Sequence, residues 1–398
     1  MRRQTLIREK KKLWKVKSGN WGYLPERSDP KRSVNKKRAL WIALVSLLLA
    51  ILPQIAKRVA ISNPDLVEKY FSRGIYPVTS RIQSAIANLV PFSLYEIVIV
   101  CLGLFAVYRL FRLIQSFFQR SFRNEVIRFS TQILFIVSLG LFLFQFAWSL
   151  NNYRIPIKDQ LGLNVQQATI SELTDTYKAL VAGANATRSR LSAMQTSDPQ
   201  KVRNVLNTAW EGYPPLAGKY SLFHANRVRV KGLHLFSWVQ TISGYSGVYN
   251  FFTGEPNINI QPPLVSLPHT ACHEIAHQMG ITLEDEANYA GFLACMNHPD
   301  DLFRYSGYLN ALTYVGNALY DQSPETYMDL SAMLSDEIRA DQQVIREFWD
   351  QHQKKAASEI ADKMNESYLK SNNQPEGMKS YGKFVDLLIA DFLQDGKI

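Results

Sequence analysis

LPHTACHEIAHQMG, residues 267–280, contains an H-E-x-x-H motif at His273-Glu274-Ile275-Ala276-His277. Side chains four apart on a helix share a face, so both imidazoles can reach one metal ion. Glu274 lies one residue around, beside a metal-bound water but outside the ligand set, where a carboxylate can take that water's proton. The flanking residues predict the helix itself. Pro268 suits a first turn, Ala, Ile and Met favour continuation, and Gly280 is a stop signal.

Downstream, Glu284-Asp285-Glu286-Ala287-Asn288 opens a second helical run, EDEANYAGFLACM. A carboxylate from a second helix is the expected third ligand of a gluzincin-type zinc site, with the fourth position left to water. Glu284 and Asn288 share a helix face, whereas Glu284 and Glu286 point about 200° apart. Glu284 is therefore expected as the ligand and Asn288 as an outer partner of a ligand imidazole. The alternative makes Glu286 the ligand and Glu284 a solvated helix-start charge. Among the other histidines, only His269 has a ligand-like spacing, and it more commonly would be a helix-start contact. Tyr305 and Tyr381 are candidate donors to an oxyanion. Cys272 and Cys295 flank the site, and the sequence leaves their pairing open. Upstream, Asn257-Ile258-Asn259-Ile260 is expected as an edge strand beside the cleft, where an extended peptide could add as a further strand. RVRVKGLHLF and SGVYNFFTG alternate in the same strand-like way.

The first 150 residues differ in kind. Residues 1–38 hold 14 basic and three acidic residues, and so account for the whole net charge of +11. The other 360 residues are neutral. Ala39–Ala56, Phe92–Tyr108 and Phe129–Trp148 are apolar runs of spanning character, the alternative for each being a buried core helix. An apolar run directly after the basic tail argues for a membrane anchor rather than a nucleic-acid-binding arm. Basic residues are dense in the tail and in residues 109–128, and sparser in residues 57–91. The positive-inside rule then puts the N-terminus in the cytoplasm and the C-terminal part outside it. Glu96 falls near one end of the second run, where water at the interface would solvate it. Three cysteines in 398 residues exclude a disulfide-built scaffold.

TGEPNINI, HTACHEIAHQMG, EDEANYAGFLAC, FRYSGYLNAL and ESYLKSNNQPEGMKSYGKFVDLLIADF, together with the preceding hydrophobic runs, resemble the bacterial membrane proteins grouped as "domain of unknown function 3810". The resemblance implies a zinc metallopeptidase-like protein but brings no substrate. The E-x-x-A-N spacing from Glu284 is also similar to the E-x-x-A-D of CAAX-type membrane proteases and to the glutamate helix of ImmA-like metallopeptidases.

The expected architecture is mostly α. A basic cytoplasmic tail (1–38) leads into a three-helix transmembrane region (39–148) and an extracytoplasmic zincin-like α+β domain with a small sheet (149–398), joined through an extended connector at residues 151–163. The expected function is a multi-pass cell-membrane metallopeptidase. Zinc would be held by His273, His277 and Glu284, and Glu274 would be the general base. A peptide or protein substrate and the lipid bilayer are the expected partners, with no nucleic acid. The alternative is a membrane-anchored binding or scaffold protein with a structural or vestigial zinc site.

Overall fold

The computed structural model describes residues 36–118, 121–191, 198–374 and 383–396. Most of the basic tail, and Tyr381, lie outside the described residues. Three long helices come first: α1 (Lys36–Ser62), then, after a connecting segment, α3 (Leu94–Phe118) and α4 (Phe122–Ala147). Each is long and apolar enough to cross a bilayer, and the core-helix alternative fails on burial. Only 11%, 6% and 6% of their apolar windows are buried. Leu104, Val107, Phe111 and Val137 all point outward. α1 packs along α4, and α3 pairs with α4. Arg109 and Glu125, both buried, meet at 3.0 Å across the α3–α4 hairpin. Each charge therefore keeps a partner in a region where an unpaired one is costly.

The segment between the first two spans belongs structurally with the chain beyond the third. A π-helical stretch at Val67–Ile75 leads into α2 (Tyr76–Ala87), which packs against the C-terminal part. Gln83 donates to the Phe251 carbonyl at 3.0 Å, and Lys231 Nζ donates to the carbonyls of Ala87 and Val90. Glu68 is buried and accepts from Arg73 and Arg154, both at 2.8 Å. Residues 151–163 are not the extended connector expected. A 3-10 turn at Ser149–Tyr153 and a helical turn at Ile157–Leu161 form there, because Tyr153, Ile157 and Leu161 are apolar enough to be buried.

The remainder is a helical domain around a small sheet. α5 (Ile170–Arg188), opened by a capping box of Thr169 and Glu172, precedes α6 (Pro199–Thr208) and α7 (Tyr213–Lys219). Then come β1 (Lys231–Leu233), α8 (Ser237–Ser243), β2 (Gly247–Asn250) and β3 (Glu255–Asn259). α9 (Leu267–Gln278) carries the H-E-x-x-H motif and α10 (Glu284–Met296) comes next. α11 (Asp301–Gln322), α12 (Pro324–Ser331), α13 (Asp336–His352), α14 (Lys355–Ser371) and α15 (Lys383–Asp395) complete the chain. α5 lies along α11 and α9 along α10, burying Leu180, Ile275, Phe292, Phe303 and Val315 in one core.

The sheet corrects one expectation. β3, which holds Asn257, Ile258 and Asn259, is the central strand, parallel to β1 and antiparallel to β2. The edge is β2. The polar alternation in β3 faces no solvent, since all five of its residues are buried. Glu255 accepts from the backbone N–H groups of Leu94 and Tyr95 at 3.0 and 2.9 Å, capping the start of α3. Asn257 accepts from Ser93 Oγ at 2.6 Å. Asn259 donates to Thr241 Oγ1 at 2.7 Å. Glu255 and Asn257 thus seat the start of α3, and Asn259 holds α8. Glu96 is likewise buried rather than wet, and its Oε1 accepts from the backbone of His234, Leu235 and Phe236 at 3.0, 2.7 and 2.9 Å.

Burial would push the Glu68 carboxyl up, but the hydrogen bonds and charges of Arg154 and Arg73 outweigh it and hold the group below 4.5. A depressed carboxyl contributes stability that is present above its unfolded value and lost as pH falls through its folded one. Glu68→Gln should therefore destabilise the detergent-solubilised chain near neutral pH by about 3 kcal/mol, since Arg154 loses its partner. The difference from wild type should shrink on acidification below 4.5. Melting curves from pH 3 to 8 check this.

Candidate metal centre

α9 is set up by local chemistry. Pro268 sits in its first turn, and it ends at Gly280, whose φ of 82° is the left-handed conformation that favours glycine. The chain then turns through residues 281–283 and starts α10, so the first residue of α10 reaches back over the last turns of α9. Glu284 Oε2 lies 3.3 Å from His273 Nε2 and 3.6 Å from His277 Nε2. One donor atom from each of the three residues falls within 4.8 Å of the others, a group able to hold a metal ion. His277 Nδ1 is 2.8 Å from the Ile281 carbonyl. Its N–H is directed there, leaving Nε2 free for a ligand role.

Burial pushes His277 down, but the neighbouring Glu284 carboxylate overrides it and raises the imidazole to about 9. Glu284 itself, against the tendency of burial, is held far below the usual carboxylate range by His277 and His273. His273 is lowered, chiefly by burial. Glu274 is 4% exposed, and burial pushes its carboxyl up to about 8. Its Oε2 has no hydrogen-bond partner. It lines a cavity of about 690 Å³, shared with the three cluster residues. One wall of that cavity is β2. A Cβ on Gly247 would collide with the Glu274 carboxylate, so only glycine lets this edge strand run so close to it.

The other candidates fall in different places. The Glu286 carboxylate is turned away from the cluster and accepts from the Ile157 N–H at 2.8 Å, capping the helical turn there. His269 is buried beside the cluster with Nε2 3.3 Å from the Asn288 carbonyl, and burial drives its imidazole down to about 3. Asn288 lines the cavity, but its Nδ2 and the Nδ1 of His273 are both buried without a hydrogen-bond partner. Tyr305 is outside the cavity, donating to Asp341 at 2.7 Å. Cys272 and Cys295 are buried neighbours and remain free thiols. Sequence reasoning missed Tyr314 and Tyr368 from the far helices, and Tyr95, Phe144 and Trp148 from the spans, all of which line the cavity. Trp148 carried a signal, since tryptophan at the end of an apolar run commonly marks an interface.

A family model described as a protein of unknown function, DUF3810, matches residues 71–389. The chain belongs to the DUF3810 family. The DUF3810 match opens in the π-helical stretch and closes in α15, so it takes in α3, α4, the sheet and the whole His–Glu cluster but not α1. No curated protein and no solved structure shows a significant match.

Because Glu286 satisfies a buried backbone donor, Glu286→Ala should destabilise the chain by about 1–3 kcal/mol. Glu286→Gln, which keeps an acceptor oxygen, should cost much less. Thermal melts of the two variants side by side measure the difference.

Proposed function

We propose that this chain is a membrane-anchored zinc metallopeptidase. The observation that carries the proposal is the buried cluster of His273, His277 and Glu284, with the unpartnered Glu274 carboxylate beside it in a cavity large enough for a peptide segment. The donor set fits the metal. Two imidazoles, both neutral once they ligate, and one carboxylate suit a borderline ion such as zinc better than magnesium or calcium. A closed structural site would require a fourth protein donor. The nearest further histidine, His269, has its Nε2 at the Asn288 carbonyl, which leaves the cavity side for water or substrate. That arrangement favours catalysis over a scaffold role.

Zinc, when bound, supplies a water of lowered pKa and polarises a substrate carbonyl. With the metal held by His273, His277 and Glu284, Glu274 would accept the water's proton at its free carboxylate oxygen and deliver it to the leaving amine as the peptide C–N bond breaks. Burial raises Glu274 to about 8, so the charge of a nearby dication is what suits it to act as a base at neutral pH. The edge of β2 that does not face β3 offers backbone groups to an extended substrate. Tyr314 and Tyr368, which also line the cavity, offer hydroxyl donors to a developing oxyanion.

We place the N-terminus in the cytoplasm and the catalytic domain outside, in the cell membrane. The basic tail supports this orientation. The packing of α2 on the C-terminal domain keeps both on one side, as three spans require in either orientation. Alkaline phosphatase fused to the C-terminus should be active. A signal only from a cytoplasm-restricted reporter would reverse the orientation.

Purified wild type should hold one zinc per chain. His273→Ala and Glu284→Ala should lose it, while Glu286→Ala keeps it. Glu274→Gln should also keep zinc and lower turnover of a cleaved peptide at least ~100-fold. Equal zinc in Glu284→Ala and wild type, or undiminished turnover in Glu274→Gln, would defeat the proposal.

A further inference from the structure

The cavity is built partly from the membrane helices. Tyr95, in the first turn of α3, and Phe144 and Trp148, at the end of α4, line the same space as His273 and Glu274. Trp148 Nε1 donates to the His277 carbonyl at 3.1 Å, so the end of the third span touches the H-E-x-x-H helix directly. The cluster therefore lies close to the level at which two spans leave the bilayer.

A set of exposed apolar side chains stands at that level. Leu235, Trp238 and Phe252 are 56%, 56% and 46% exposed. Leu235 is fixed through its N–H to Glu96, the third residue of α3. Trp238 lies in α8, next to the cavity-lining Val239. The Phe252 ring centroid lies 4.1 Å from that of Phe251, tilted by 39°, and Phe251 packs 4.9 Å from Phe144 of α4. Large apolar side chains left exposed on a soluble face carry a hydration cost, whereas at a bilayer surface they embed, and tryptophan is the residue that favours that zone. Their continuity with the spans identifies their cover as the headgroup layer of the same membrane.

Resting on the peptidase proposal, we infer that the cavity mouth sits at the membrane surface and that the substrate is a bilayer-anchored polypeptide, cut within a few residues of its anchor. A chain leaving the membrane beside α3 and α4 meets the cavity at once. A cleft held well above the bilayer would need a long tether.

Spacer length tests this, because both probes are anchored and share one local concentration. The full-length chain, zinc-loaded, is reconstituted in phosphatidylcholine vesicles. A randomised fluorogenic peptide pool is coupled to a phospholipid headgroup through about four residues, reaching ~13 Å, or about thirty Gly/Ser residues, averaging ~30 Å. The short-spaced pool should be cut at least as fast as the long-spaced one, and Glu274→Gln should cut neither. Cleavage of the long-spaced pool alone would overturn the membrane siting while leaving the peptidase intact. Failure of the wild type to cut either pool, or equal cutting by Glu274→Gln, would overturn the peptidase proposal and this inference with it. A second readout is independent of activity. In a Cys101→Ser background, an environment-sensitive fluorophore on Phe252→Cys should be quenched by shallow spin-labelled lipid several-fold more than one on Met333→Cys. Equal quenching would sink the siting.

Discussion

The last carbonyls of α9 have no partners within the helix, and membrane-proximal side chains take them. Trp148 Nε1 reaches the His277 carbonyl, Tyr76 and Ser80 both donate to Gln278, and Arg154 donates to Gly280. Helix C-termini always leave such acceptors, and water usually satisfies them. Here the donors come from α2, the end of α4 and the segment after it, so four hydrogen bonds to three carbonyls, those of His277, Gln278 and Gly280, hold the end of the helix bearing both histidines. Gly280 then turns the chain so that the Ile281 carbonyl meets His277 Nδ1 and Glu284 returns over both imidazoles. The geometry of the cluster depends on that fastening.

Buried carboxylates do the corresponding work at the other contacts between spans and domain. Glu68 joins Arg73 and Arg154, Glu255 caps the start of α3, and Glu96 gathers three backbone N–H groups of the loop after β1. Charged acceptors form stronger hydrogen bonds than neutral ones and are strongly destabilising if left alone. These contacts therefore hold one arrangement of the domain over the helices. For the proposed chemistry, such rigidity matters because a base and a ligand set must keep their separation while a substrate enters.

Much of the design was legible in residue spacing. Three apolar runs gave three long helices, with ends extended by several residues. H-E-x-x-H predicted a helix with two imidazoles on one face, and α9 has it. The helix period separated Glu284 from Glu286, and the two side chains do point apart, one to the imidazoles and one to Ile157. Local periodicity suffices for such statements because they concern neighbours on one element. It failed where partners are distant. NINI alternates like an edge strand, yet Asn257 is buried against Ser93 just before α3, a partner 164 residues away. Glu96 looked solvated because nothing nearby in sequence shows the loop that covers it.

The sequence by itself determined the membrane helices, the motif helix and the residue types able to bind a metal, since length, hydropathy and period are properties of single segments. Only the tertiary structure decided that β2 and not β3 lies at the sheet edge, that Tyr305 is remote from the cavity, and that Trp148 and Phe144 are part of it. Those outcomes depend on which buried polar groups find partners across the fold, and pairing between segments far apart in the chain leaves no trace in the periodicity of either one.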